Sequence, residues 1–174
     1  LLSWQQKGRD DDQWLYLPSQ KRIQRIAKGS KKDYFMGTDF TYEDLEGESL
    51  DNWKYELKRE ENVQGKKAYV IEAKPNGKQA ARASSYGRRV MWVDASNFMT
   101  LKSEFYSKRD RLIKYQENRD LKNVSGTIWR IDKSIVDNKK KRHKTLTVAT
   151  EREVNLSIPD KVFTESVSYT HLRA

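Results

Sequence analysis

Cysteine is absent from this 174-residue chain, histidine occurs twice and proline three times. The missing thiols exclude a disulfide framework, a thiolate nucleophile, a cysteine zinc site and anchoring of this segment through a lipidated cysteine. No apolar run approaches the roughly 18 residues of a membrane-spanning helix. The eight glycines never fall into a G-x-x-x-x-G-K or G-x-G-x-x-G spacing, so no phosphate-cradling loop is written in the sequence. The two histidines are His143, inside a basic run, and His171, close to the C-terminus, and neither has the neighbours a nucleophile's general base requires. Metal fares no better, since two distant histidines would need several carboxylates to complete a site.

Aromatic residues and positive charge are what the chain does have. Five Trp, nine Tyr and five Phe are spread along it, enough apolar area to offset the entropy of ordering. Thirty-five Lys and Arg against 25 Asp and Glu give a formal net charge of +10. Such a surplus invites a nucleic-acid reading that composition alone does not establish.

The dominant periodicity is two. Trp14-Leu15-Tyr16-Leu17, Ala68-Tyr69-Val70-Ile71 and Val90-Met91-Trp92-Val93 read as strands. Trp129, Ile131 and Ile135 share one parity; Leu146 and Val148, then Val154, Leu156 and Ile158, continue the alternation. Turn signals recur at Asn62-Val63-Gln64-Gly65, Pro75-Asn76-Gly77, Asp94-Ala95-Ser96-Asn97 and Lys108-Arg109-Asp110. Roughly ten strands are expected in a mainly β fold whose antiparallel sheet curls into a barrel or sandwich. Helix signals are limited to single turns at Thr41–Leu45, with Asp39 as a cap, and at Pro159–Phe163.

Three features compete as functional sites. The carboxylates Asp39, Glu43 and Asp44 could form an acid/base pair or a cation site, but they read better as cap and first-turn charge on a short helix. The run Lys139, Lys140, Lys141, Arg142, His143, Lys144 could engage nucleic acid or an anionic membrane surface, and its plainer reading is a solvated hairpin loop. Specific nucleic-acid binding would interleave such cations with exposed aromatics, whereas here the aromatics alternate as a core face requires. Asn123-Val124-Ser125 and Asn155-Leu156-Ser157 match glycosylation sequons, a pattern short enough to arise by chance. The remaining feature is an aromatic and aliphatic sheet face that either fills its own interior or leaves a concavity for a ligand.

The order of segments carries a resemblance. Asp12 to Pro18, Lys21 to Ile26 and Phe35-Met36-Gly37-Thr38-Asp39-Phe40-Thr41-Tyr42-Glu43-Asp44-Leu45 are followed by Val63 to Ile71 with Lys74-Pro75. Val90 to Asp94 and Asn155 to Phe163 come next in the same order. Together, over about residues 1–165, they resemble the outer-membrane lipoprotein-sorting protein family, a LolA-like group of exported bacterial proteins. The resemblance implies an incomplete antiparallel barrel wrapped around helices and sheltering acyl chains of a lipoprotein or another lipid in the periplasm. It implies no catalysis and no cofactor; no metal is expected, the expected partner is an inner-membrane transporter or outer-membrane receptor, and the chain is expected to be a monomer without a specific nucleic-acid ligand. Candidate wall residues are Trp14, Tyr16, Tyr69, Ile71, Trp92, Phe105, Tyr115, Trp129 and Ile131. Family members begin with an export signal and an N-terminal helix with early strands, so this chain reads as a single domain lacking that part. Residues 166–174 read as a non-native tail. A sensor of mislocalised lipoproteins or envelope stress with the same fold is a further possibility.

Overall fold

A computed structural model describes residues 1–4, 12–47 and 49–159. Its ten strands form two antiparallel sheets. The smaller has the order β1-β2-β3, from Leu2–Trp4, Asp12–Leu17 and Arg22–Arg25. The larger is an open meander of β4 (Trp53–Val63), β5 (Lys66–Pro75), β6 (Arg88–Asp94), β7 (Thr100–Tyr106), β8 (Leu112–Ser125), β9 (Ile128–Asn138) and β10 (His143–Val148), each strand paired with its sequence neighbours. Sequential pairing, through short connections except for the helix-bearing one between β5 and β6, follows from the turn chemistry: Gln64 and Gly65, both at positive φ, close β4 onto β5 in a two-residue loop. β4 and β10 are the free edges, so the sheet does not close. Register shifts at Leu57/Arg59, Trp92/Val93, Phe105/Tyr106 and Asn123/Ser125 mark bulges, and each bends its strand and increases the local twist.

The pleat and the register sort every side chain onto one of two faces. One row runs from edge to edge through Tyr55, Ala73, Arg89, Phe105, Lys114, Asn138 and His143, and the next through Leu57, Ile71, Met91, Ser103, Gln116, Val136 and Thr145. The opposite face carries Arg59, Val70, Trp92, Lys102, Glu117, Ile135 and Leu146 in register. A small core forms there from Ala68, Val70, Trp92 and Leu101, packed by Val63, Val90 and Leu121. Charged side chains roof it: the Lys102 ammonium lies 4.3 Å from the Trp92 ring, whose indole N–H donates to Glu61.

Two expectations about helices change. Asp39 caps nothing; the turn at Glu43–Leu45 is a single 3-10 turn preceded by Tyr42, which makes no side-chain cap. The Pro75-Asn76-Gly77 turn instead opens the one α-helix among the described residues, α1 (Gly77–Ala83). Its seven residues are too few to show a 3.6-residue apolar period. Val154, Leu156 and Ile158 lie in an exposed irregular segment with no strand partner, bent at Asn155 with its positive φ, despite their alternation. The expected turn at 159–163 and the tail at 166–174 fall beyond Pro159, outside the described residues.

Candidate functional site

The edge-to-edge rows divide one face of the large sheet into two halves of different chemistry. Over β7 to β10 it is covered by the segment 33–46, which an isolated bridge between Tyr34 and Thr41 folds into a compact plug. Polar groups hold the plug down. Lys114, 2% exposed on its side chain, donates to the Asp44 carboxylate and to the Asp39 carbonyl at 3.0 Å, with its ammonium 4.9 Å from the Phe105 ring and 5.3 Å from that of Tyr86. The Tyr86 hydroxyl donates to Asp44 at 2.8 Å and Asn138 donates to the Tyr34 hydroxyl at 3.1 Å. The fully buried Asp39 accepts from the Thr145 hydroxyl at 2.8 Å and pairs with His143 Nδ1 at 2.7 Å. Its Oδ1 has no hydrogen-bond partner among the described residues.

This is where the carboxylate cluster goes. Asp44 answers a buried lysine, Asp39 answers β10, and Glu43 accepts from the Ser84 hydroxyl and the Ser85 N–H beyond α1. Each carboxylate points to a different partner, so they do not converge on one reacting atom. No group of three or more metal-ligating side chains occurs among the described residues. Burial first, and the Asp44 carboxylate second, push the Tyr86 hydroxyl well above the ordinary tyrosine range, so it stays a donor.

Over β4 to β6 the same face is mainly apolar, with the charged Arg89 and Glu60 at its two ends. Leu57, Ile71 and Met91 line up in register, flanked by Tyr55 on one side and by the Tyr69–Val93 pair on the other. Leu57 is 60% exposed and Tyr55 40%, while Tyr69, Ile71, Met91 and Val93 are half-buried. Trp53 closes the corner beneath the Arg89 guanidinium, 3.9 Å from its ring. The result is an apolar strip at a sheet edge, bordered inward by the polar plug.

The nine wall candidates do not share a surface. Tyr69 and Ile71 lie on the strip. Phe105 is on the same face but buried against Tyr86, ring centroids 4.9 Å apart. Trp92, Tyr115, Trp129 and Ile131 are on the opposite face, Trp92 in its core. Trp14 and Tyr16 belong to the small sheet, Trp14 under the Arg25 guanidinium. Sequence reasoning missed Tyr55, Leu57, Met91 and Val93. The signal for the first two is present, in the alternation of Trp53, Tyr55 and Leu57 with Lys54, Glu56 and Lys58.

The basic run forms the β9–β10 hairpin, as a solvated loop should, and much of it is engaged within the fold. Lys139 and Lys144 both reach Asp137, at 2.9 and 3.3 Å, and the Lys141 ammonium sits 3.1 Å from the centroid of the Tyr34 ring. Arg142 adopts a positive φ at the turn, and Lys140 is exposed beside it.

Comparison with known proteins agrees with this architecture. A family model described as "-like: Uncharacterized protein" matches residues 1–167. A domain from Vibrio parahaemolyticus, assigned as an outer membrane lipoprotein-sorting protein, is 28% identical with a TM-score of 0.84, over 92% of this chain and 67% of that one. A DUF1329 family protein from Desulfovibrio piger is 29% identical with a TM-score of 0.83, over 95% of this chain and 68% of its own. A LolA superfamily protein from Nitrosomonas europaea, at 24% identity and a TM-score of 0.59 over 90% of this chain and 67% of that one, shares the fold. No match is found among curated proteins. The chain therefore belongs to the uncharacterized protein-like family of that model and is a structural relative of the outer membrane lipoprotein-sorting, LolA-like proteins.

Proposed function

We propose that the chain is a non-enzymatic binding protein that holds acyl chains of a lipoprotein or a free lipid on the strip of Tyr55, Leu57, Tyr69, Ile71, Met91 and Val93. It would work in the periplasm and exchange its cargo with membrane partners. The observation that carries the reading is the open apolar half of a sheet face whose other half the chain seals with its own plug. Each CH₂ withdrawn from water contributes about 0.8 kcal/mol, so a run of a few apolar side chains suffices to hold an acyl chain without any chemistry. The fold relationship to a lipoprotein-sorting domain supports the same direction.

The competing reading places nucleic acid or an anionic surface on the loop Lys139 to Lys144. The ion pairs to Asp137 and the stacking on Tyr34 give those cations a structural role and weigh against it.

The test is a titration of the full chain with a fluorescent fatty-acid analogue, alongside mass spectrometry of co-purified lipid. Replacing Leu57 and Met91 with Asp should weaken the analogue about tenfold or more, since one buried leucine-sized side chain is worth about 1.5–3 kcal/mol. Saturable binding that ignores both substitutions would refute this strip as the site, and the absence of any saturable binding would refute the carrier reading.

A further inference from the structure

The +10 charge has a second concentration besides the β9–β10 hairpin. Residues 21–32 read Lys-Arg-Ile-Gln-Arg-Ile-Ala-Lys-Gly-Ser-Lys-Lys, six cations without one acid. Two of them are matched, Arg25 by Asp12 and Lys31 by Glu46. Lys32 instead reaches across to α1, donating to the Arg82 carbonyl at 2.7 Å where the helix ends. On α1, Lys78 and Arg82 stand four residues apart and hence on one side of the helix, both exposed, while Ala80 and Ala81 are half-buried. Arg82, in the last turn, suits the helix dipole, but Lys78 opposes it at this like-charge spacing, so the stability of α1 gives no reason for Lys78. At the other end of α1, Asn76 is tied to the Leu50–Asn52 turn by its N–H to Asn52 O at 2.8 Å and by Nδ2 to Asp51 O at 3.0 Å. That turn presents Leu50, 71% exposed. The nearby acids do not cancel the row: Glu43 is taken by Ser84 and Ser85 and Glu46 by Lys31, leaving exposed Asp33 and Asp51 at its flanks.

We propose that Leu50, Lys78, Arg82 and Lys32 form a docking surface for a bilayer containing anionic phospholipid. Long cationic side chains around one exposed leucine suit a fluid sheet of headgroups: the cations reach phosphates in any register and the leucine enters the boundary of the acyl region. A folded acidic partner would demand fixed positions for its carboxylates, and an exposed leucine would gain nothing from a purely polar one. Its residues are not those of the strip on β4 to β6, although the Leu50–Asn52 turn leads directly into β4, and the proposal does not depend on what binds the strip.

The experiment is co-sedimentation of the full chain with vesicles of phosphatidylcholine alone or mixed with phosphatidylglycerol, over a range of salt. Binding should require phosphatidylglycerol and weaken with salt. Reversing Lys32, Lys78 and Arg82 to Glu should lower it about 100-fold, at about fivefold or more per cation. Leu50→Ser should remove the part that survives high salt. Fatty-acid analogue binding should be unchanged in both, which separates this outcome from the acyl reading. Lys140→Glu with Arg142→Glu, on the other basic loop, should retain vesicle binding. Should the triple reversal fail to fold by circular dichroism, Lys78→Gln with Arg82→Gln on the exposed helix gives the same reading at smaller amplitude. Equal binding to neutral vesicles, an equal loss in the Lys140/Arg142 variant, no loss in the α1 variants, or tighter binding to polyglutamate than to vesicles would each overturn the proposal.

Discussion

Replacing Lys114 with Met tests what holds the plug. The substitution keeps the hydrocarbon length on β8 and removes the ammonium that bonds Asp44 and the Asp39 carbonyl. Asp44 keeps the Tyr86 hydroxyl and the Thr41 N–H, at 2.8 and 2.6 Å, but its charge, 7% exposed, then has no cation beside it. Breaking a buried pair from one side costs about 3–5 kcal/mol, because the desolvated partner remains. For a chain of this size each kcal/mol moves Tm by about 2–4 °C, so the midpoint should fall by about 6–20 °C. Removing both charges, as Lys114→Met with Asp44→Asn, should recover at least half of that loss, since the orphaned carboxylate is the larger part of the penalty. The assay is urea and thermal unfolding of the wild type, both single variants and the double variant. Hydrogen exchange of the amides from Tyr34 to Glu46 should report where the loss acts. A loss below about 1 kcal/mol for Lys114→Met, or a double variant no more stable than additivity allows, would refute the view that this pair fastens the plug.

Other perturbations follow from the same contacts. Tyr86 holds its proton more tightly folded than unfolded, because of burial and then Asp44, so stability should be level up to about pH 10 and fall above it as the unfolded tyrosine ionises. Urea midpoints between pH 8 and 11 should therefore fall less steeply in Tyr86→Phe. Asp94 shows the opposite sign: burial opposes its charge, but the Lys66 ammonium and the Ser96 donors outweigh it and hold the carboxyl below its ordinary range. Its contribution should be intact above about pH 4, fade as acid protonates it in the folded state, and vanish from the acid limb in Asp94→Asn. At Gly87, a Cβ would lie 2.6 Å from the Ser107 carbonyl oxygen and 2.9 Å from Lys108 Cα, both backbone. Gly87→Ala should thus cost about 1–3 kcal/mol by chemical denaturation, and a neutral result would show that the β7–β8 connection yields freely.

Much of the fold was legible because hairpins are local. Gln64-Gly65 and the alternation on either side identify β4 and β5 without reference to the rest of the chain, and sequential pairing then yields the open meander. The plug was not legible as a plug. Asp39, Asp44 and Lys114 are far apart in sequence, and a short acidic cluster after a glycine looks like a helix start until the sheet brings Lys114 and Thr145 against it. Residue type alone cannot separate Ile71, beside exposed Leu57, from Trp92, beneath Lys102 and Glu61.

By itself, then, the sequence determined the period of two along the hairpins, most of the turn positions and the exclusion of thiol chemistry, all properties of residues near one another in the chain. Only the tertiary structure decided which face each residue occupies, because bulges and register set that strand by strand, and a shift of one residue exchanges the faces. The same holds for charge. The cations most conspicuous in sequence, Lys139 to Lys144, meet Asp137 and Tyr34, whereas Lys32 meets the end of the helix carrying Lys78 and Arg82 only because α1 packs between two turns distant in sequence.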